Sequence, residues 1–565
     1  MKTILKNLPV IFYTVVLLLG AAFVATKESA QPLHFLIQND SGQEAISVFD
    51  AQDGNCYVFL PSYSELSQVT AVLPSGQELF LDDIRLSNEM SCGVFELEKP
   101  YDYFVDGEYI ATLWFYRSRN VSSLFLDTVT GTMEDIHNDK THEEYASMTL
   151  YLPDGSIDYQ DRSSRLKGRG NSTWERDKRP YVLTLSTAGD LLGMGNGKKW
   201  VLLANAYDET NLNNKLVFDI ASQTNLGWSP DCRFVDLYLN GEYSGLYLLT
   251  EKIEVEDNRL DIDAGSGDFL CMLELLERKE LLMQPFESSM GRTIEVCYPE
   301  TASDEALDTI RTLVSRMEQE IASGTDLRDS ERFNLDSWAR CYLIDEISGN
   351  IDADITSSYF YYSGDQFFAG PLWDYDMAFG NNYRNQEPNA LIAKNARKGT
   401  HYHSPYYGAL YDNDSFQRRV AEIYRSEFAP VLQKMIDRDL DDQCNQIQSA
   451  SEMNSIRWRR MFDALINETS GTGIVRNTED LKSYFCSRVR FLDRVWLENV
   501  DYCTVQFAEG SAGPYWNVSV EKGTCLETTY KDLKNTVWTD QKTGLPVDFQ
   551  KPITQDLVVE PVLSQ

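Results

Sequence analysis

Hydrophobic positions change their period along this 565-residue chain, and the changes divide it. Behind Lys2 and Lys6 comes an apolar run, Leu8–Ala25, broken only by Tyr13 and Thr14. A basic start followed by about 18 apolar residues reads as a secretory signal or a retained N-terminal anchor. Small residues follow, including Ser29-Ala30, which suit cleavage. No other segment reaches that length, so no second span is expected. From 31 to about 142 the pattern is β. Runs such as Tyr57–Leu60 and Tyr109–Tyr116 are bounded by Gly, Pro, Asp and Asn, as in a small sandwich.

From 143 to about 300, strands and a helix alternate. Ser147–Leu152, Arg179–Leu185 and Trp200–Leu203 read as strands. Asp208–Thr224 has helical spacing, with Leu212, Leu216, Val217 and Ile220 on its apolar side. Arg233–Leu239 and Gly245–Thr250 flank Asn240-Gly241, a hairpin signal, and Phe269–Leu276 reads as another strand. From 301 to about 500 the period is mostly helical, over Ala306–Ala322, Leu335–Ser348, Ser415–Asp437 and Thr478–Asn499. Tyr359–Tyr362 and Gln366–Trp373 interrupt it as strands. From Tyr502 onward the chain is again β with Gly-rich turns.

Composition sharpens this division. The net charge is −36, and residues 31–145 alone carry −15. Such a surface repels phosphate backbones and anionic lipid, so nucleic acid is not an expected partner. A membrane contact is expected only through the N-terminal segment, if it is uncleaved. Ten cysteines in an exported chain permit disulfides, with Cys56–Cys92 and Cys503–Cys525 as local candidates beside the alternative of free buried thiols. No CxxC, GxSxG or HExxH occurs, which removes zinc-knuckle, α/β-hydrolase and zincin templates.

Candidate chemistry lies in two stretches. In the first, a helix ends near Gly349, a loop presents Asp352, and a hairpin from Ser357 leads to Gly370-Pro371-Leu372-Trp373-Asp374-Tyr375-Asp376. Hard carboxylate oxygens on two loops joined by one hairpin suit Mg²⁺ or Mn²⁺. In phosphoryl transfer one Asp orients the acceptor hydroxyl and another holds the metal on the phosphates, and this element order is that of protein kinases. The other reading is of solvated turn acids in an acidic chain. The second stretch is Lys167-Gly168-Arg169-Gly170-Asn171-Ser172-Thr173-Trp174, followed by Lys178-Arg179-Pro180-Tyr181. Its glycines admit close backbone approach to phosphates and its cations neutralise them, although it is no Walker A loop.

Taken together, Gly168–Trp174, Trp200–Asn205 with Asp208, the Asn240–Tyr247 hairpin with Glu251, and Gly370–Asp376 resemble the CotH (spore coat protein H-like) atypical kinase family over about 143–500. The resemblance implies an α+β fold. It would be a two-lobed protein-kinase-like domain with a β-rich N-lobe and a helical C-lobe, flanked by small β modules. It implies ATP and Mg²⁺ (or Mn²⁺) as cofactors and a protein substrate with Ser/Thr acceptors. Asp352 would be the catalytic residue. Asp374 and Asp376 would be metal ligands, with Ser357 where kinases place a metal-binding Asn. The phosphate-binding cation would come from Lys167, Arg169, Lys178 and Arg179, with Arg169 and Lys178 foremost; Asn171 of the Gly loop would also bind the cofactor, and Glu251 would sit at the hinge near the adenine. The strand 179–185 would match the lysine-bearing kinase strand, yet it carries Thr184 there. Asn213-Asn214-Lys215 stands where the family often has Arg-Asn-Lys.

The expected domains are thus 1–30 (signal or anchor), 31–142 (β-rich), 143–500 (kinase-like) and 501–565 (β-rich). The last resembles a Listeria–Bacteroides (internalin B-type) repeat through Thr504–Phe507, Gly510–Gly513, Gly523 and Trp538–Phe549. Such modules are common on exported Gram-positive proteins. An extracytoplasmic, secreted or surface-anchored phosphotransferase is the leading expectation. The alternative is a non-catalytic surface scaffold or adhesion protein with a cell-wall or surface ligand. His401 and His403 form an HxH in a Tyr/Ser/Gly-rich loop and read as surface.

Overall fold

The computed structural model describes residues 33–562 except 40–41, 383, 393–404, 469–474, 509–513 and 527–536. The apolar run Leu8–Ala25, the His401/His403 pair and the Gly510–Gly513 turn lie outside the described residues. Among those described, no helix is long and apolar enough to cross a membrane.

Seven strands close into a barrel, in the order Ser122–Thr128, Glu143–Tyr151, Ile157–Gly168, Tyr181–Asp190, Asn196–Leu203, Glu242–Glu251 and Cys232–Leu239. The closing pair is parallel, with Leu124 opposite Leu237. Closure leaves no exposed edge and buries an interior of alternating side chains around Trp200. The hairpin at Asn240-Gly241 takes φ of 50° and 76°, the left-handed pair that a two-residue turn between twisted strands requires. The β-rich stretch expected as far as residue 142 therefore contributes Ser122–Thr128 to this barrel.

The strands before residue 118 form two sheets, of three and six strands. They are not a free-standing appendage, because their core includes Phe125, Tyr151, Tyr238 and Tyr243 of the barrel. Phe59 meets Tyr243 with ring centroids 4.8 Å apart, and Tyr238 donates its hydroxyl to the Phe59 carbonyl at 3.2 Å.

Beyond the barrel, a five-stranded sheet runs Pro285–Glu287, Thr293–Tyr298, Phe269–Glu274, Ser358–Ser363, Gln366–Ala369. Helices Asp304–Ala322, Leu335–Ser348 and Thr478–Trp496, with helical segments from Asp414 to Glu468, pack beside it. Leu335–Ser348 is buried on almost every side, polar residues included. Its Glu346 meets Arg488 at 2.9 Å with both side chains fully buried. Arg488 also donates to the carbonyls of Glu346, Pro388 and Ala390. One guanidinium thus fixes two helices and the segment between them.

Leu440–Glu468, which the sequence did not mark as a helix, runs back onto the barrel and the N-terminal sheets. Its Asn454 accepts from Leu246 N at 3.1 Å, Trp458 donates to the Ser244 carbonyl at 2.9 Å, and Arg457 pairs with Glu242 at 2.6 Å. The C-terminal chain forms a four-stranded sheet. It is tied to the helical region by Ser519 N on the Asn389 carbonyl (2.8 Å) and by Arg494–Glu521 (2.7 Å).

None of the ten cysteines, all among the described residues, is joined in a disulfide, which corrects both local disulfide candidates. Cys56 and Cys92 are separate buried thiols, pushed up by burial to about 11 and about 12. Cys503 is buried on its strand, while the exposed Cys525 faces the Gln550 carbonyl at 3.0 Å.

Removing one partner of a fully buried ion pair strands the other, at a cost of about 3–5 kcal/mol. Arg488→Met should lower the unfolding free energy by that amount, read as a shifted urea midpoint. A loss under about 1 kcal/mol would mean the pair is not the tie described.

Candidate active site

The acid loops are built from buried hydrogen bonds rather than from their own carboxylates. Helix Leu335–Ser348 ends on Gly349 at φ 63°. Asn350 then turns back and donates to Asp345 at 3.0 Å, while its Oδ1 accepts from Asp352 N at 3.0 Å. Asp345 also accepts the hydroxyls of Tyr375 (3.0 Å) and Tyr407 (2.9 Å). Burial raises Asp345 to about 6, against the pull of those three donors. Tyr375 lies between Asp374 and Asp376, so one buried carboxylate connects the Asp352 loop to the Asp374–Asp376 loop.

The barrel side supplies the second grip. Asp208 accepts from Thr210 N (2.9 Å) and from Asn213 N (2.8 Å), the first residue of the helix Asn213–Ser222. Burial raises Asp208 to about 6. Asn213 donates to the carbonyls of Asp376 and Ala378, both at 3.1 Å, and Asn214 accepts from Tyr375 N at 2.9 Å. The Asn213-Asn214 pair is therefore a clamp on the acid loop. Lys215 is not part of it and pairs with Asp219 at 2.5 Å.

Asp374 is exposed and held at φ 70°, a conformation costly for a non-glycine residue. Asp376 is buried; burial, then Asp374, Asp208 and Asp352, push its carboxyl well up, with Arg169 opposing. Asp352 sits 3.6 Å from Arg384 and is raised to about 6 by burial, with Arg384 opposing and Asp374 adding. Arg169 lies over the Trp373 ring at 5.2 Å. Burial lowers its guanidinium, against Asp374, Tyr359 and Asp376. Asp374 and Asp376 thus share Arg169, Asp352 has Arg384, and the crowding of carboxylates around Asp376 suits a divalent cation. Asp374 and Asp376 offer hard oxygens of the right kind for Mg²⁺. Among the described residues no three His, Cys or carboxylate side chains form a ready-made cation cage, so phosphate oxygens would complete such a site.

Beside Arg169 a cleft of about 400 Å³ runs between barrel and sheet, within the ~300–1,000 Å³ usual for small-molecule sites. Tyr359 and Trp373 give it aromatic walls, and Lys199 and Lys252 stand in it, both paired with Glu254 (2.8 and 3.2 Å). The Gly loop closes its end. A Cβ on Gly168 would come within 2.3 Å of Trp174, so only glycine lets that ring fold over the strand.

The other expected residues are placed as follows. Lys178 is fully buried in the barrel, donating to the Leu246 carbonyl at 2.6 Å. Burial lowers it from 10.5 to about 7, with Asp208 and Asp236 opposing. Arg179 turns the other way, to the His137 carbonyl (2.7 Å) and the Trp174 ring (4.8 Å). Asn171 is exposed at the start of the turn Ser172–Glu175. Glu251 accepts from Asp231 N at 2.9 Å and faces Arg259 at 3.6 Å, while Lys252–Glu256 line the cleft. Ser357, at φ 52°, shares a small hollow with Tyr359 and Trp373.

Lys199 and Lys252 were not singled out from the sequence. Register could have found the first: Lys199 stands directly opposite Thr184, and antiparallel partners point to one face. The cation absent from Thr184 is present one strand over, on the strand that precedes the helix Asn213–Ser222.

The family model described as CotH kinase protein matches residues 166–492, more than half of the chain, and the chain belongs to that family. No curated protein matches it.

Tyr375→Phe removes a hydrogen bond to a buried carboxylate, worth about 1.5–3 kcal/mol, and chemical denaturation should show that loss. A second test concerns Lys178. Its folded value near 7 lies below its unfolded one, so between about pH 7 and 10 the unfolded chain holds more protons and the lysine's contribution to stability rises with pH. The stability of wild type minus that of Lys178→Met should therefore increase across this window. A flat difference would place the lysine in water.

Proposed function

We propose that the chain is an exported or surface-associated protein kinase of the CotH type, transferring phosphate from ATP to Ser/Thr hydroxyls of a protein. The observation that carries this reading is the joint one: Asp352 and Asp374–Asp376 stand on loops tied through Asp345, next to a nucleotide-sized cleft with Arg169 at its end. The order of strand, Gly loop, two strands, helix, hairpin, helix and two acid loops supports it.

In this reading Asp374 and Asp376 hold the divalent cation. Arg169 and Lys199 neutralise phosphate oxygens, and Val201, Tyr359 and Trp373 receive the base. Bound with its metal, ATP supplies the transferred phosphoryl group. Asp352 accepts the proton of the acceptor hydroxyl at its carboxylate, and its raised value near 6 makes it a stronger base than an ordinary aspartate. Arg384 orients that carboxylate. Export rests on the basic and apolar N-terminal segment alone.

The full chain, incubated with labelled ATP and Mg²⁺ or Mn²⁺, should label itself or Ser-rich acceptors. Asp374→Ala should abolish metal-dependent nucleotide binding while the fold survives. Asp352→Asn should keep that binding and lose at least about 10²-fold in transfer, the usual contribution of a general base. Nucleotide binding without transfer in the wild type would favour a non-catalytic scaffold. Unchanged ATP affinity in Asp374→Ala would remove the metal role.

A further inference from the structure

The strand Phe269–Glu274 runs from the cleft to the acid loop. Leu270 near its start lines the cleft, and Leu273 stands opposite Ser358, where the chain leaves that loop. Glu274 at its end accepts from Thr356 Oγ1, and Thr356 N donates to the Asp352 carbonyl at 3.2 Å. The chain after Glu274 therefore begins beside Asp352, at the end of the strand away from the cleft. Nothing in the phosphotransfer reading uses it.

That chain is a short projection held firmly at its base. Arg278 donates to Glu274 at 3.1 Å and comes within 3.5 Å of Thr356 Oγ1. Burial dominates the raised Asp352 carboxyl, but Arg278 and Glu274 are close enough to act on it too, in opposite directions. Farther along, Met283 N donates to Glu295 at 3.0 Å, and the Gln284 amide donates to the Val296 and Pro299 carbonyls, both at 2.9 Å. A backbone already fixed loses little freedom when its surface is covered.

What the projection presents is apolar. Leu276, Leu281 and Met283 are 61%, 75% and 86% exposed, three large apolar side chains bare within eight residues. A single exposed leucine is ordinary, but a group of them on one projection marks a contact surface. The two cations here are turned to partners, Arg278 to Glu274 and Lys279 to Glu287 at 2.8 Å, while Glu280 is exposed.

Position and charge choose the occupant. In phosphoryl transfer the attacking and leaving oxygens lie roughly in line, so the acceptor comes to Asp352 from the side opposite the nucleotide. The projection stands on that side. A second copy of a chain with net charge −36 is repelled, and so is an anionic lipid surface. A polypeptide held by apolar side chains, with its hydroxyl at Asp352, meets both conditions. We propose, on the phosphotransfer reading, that Leu276, Leu281 and Met283 form a docking ledge for the acceptor segment and select substrates with a large apolar side chain close in sequence to the Ser or Thr. The unbranched Met283 lets one ledge take side chains of different shape.

The test uses the full chain and fluorescence anisotropy with labelled peptides. Each peptide has one Ser in a Gly/Gln frame, with a single Leu placed at successive positions on either side. At least one Leu peptide should bind about tenfold or more tighter than the frame without Leu, the effect of burying one leucine side chain. In the transfer assay the same peptide should show the lower KM at similar kcat. The triple variant Leu276→Ser, Leu281→Ser, Met283→Ser should bring both ratios to about one, with ATP affinity unchanged. These are surface positions, where substitution seldom disturbs the fold, and an unchanged urea midpoint checks that. Failure of the wild type to label any acceptor would sink the phosphotransfer reading, and is scored separately from the Leu preference in binding. Equal binding with and without Leu, or a preference that survives in the triple variant, would overturn the ledge and leave transfer intact. If the triple variant instead lost binding to phosphatidylcholine vesicles, or self-association in sedimentation, the surface would belong to a membrane or a second copy and the proposal would fall.

Discussion

The site depends on one buried carboxylate, Asp345. It lies inside a helix enclosed by protein and takes hydrogen bonds from Asn350, Tyr375 and Tyr407. Through Asn350 it sets the backbone of Asp352, and through Tyr375 it sets the loop that presents Asp374 and Asp376. Asn213 and Asn214 grip the same loop by its backbone from the barrel side. The grips are amides and phenols, so none of them neutralises the carboxylates that reach the surface of the site. Compensation there comes only from Arg169 and Arg384, and a cation bound by those oxygens would compete with these two guanidinium groups.

Much of this was legible in the sequence where local chemistry and tertiary packing agree. The helix Leu335–Ser348 and the hairpin at Asn240-Gly241 form where their patterns put them. The acids Asp352, Asp374 and Asp376 fall on two connected loops as expected, and the mixed α+β class holds. Three things were not legible. Ile157–Gly168 buries Asp161, Ser164, Leu166 and Gly168, a set with too few aliphatics to announce a strand. Leu440–Glu468 turns inward through Leu440, Ile447, Met453 and Phe462, but Cys444, Ala450 and Asn454 on the same face dilute its period. Lys178 and Arg179 are adjacent to the Gly loop in sequence, but neighbouring residues in extended backbone point to opposite sides, and neither lines the cleft beside Arg169. Lys199 does, because of a strand register that no single segment encodes.

The net charge of −36 also takes on structure. The acidic N-terminal sheets share a core with the barrel, so their charge is part of the same body as the candidate active site. Several of its cations are spent locally. Arg169 lines the cleft beside the acid loops, Arg488 ties the core, and Arg457 ties the joint between helix and barrel.

That last joint bears on how the molecule is made. Arg457 and Glu242 are 215 residues apart, and Asn454 and Leu246 are 208 apart. Contacts this distant in sequence close slowly, because the intervening chain must first be synthesised and then ordered. A growing chain would have its N-terminal sheets and all seven barrel strands in hand while the helix that covers Gly245 and Phe49 was still unmade. Until residue 468 appeared, the barrel would be a nearly finished vessel without its cover, with Gly245 and Phe49 still bare. The covering helix therefore sets the moment at which the N-terminal half stops being an intermediate and becomes part of a protein.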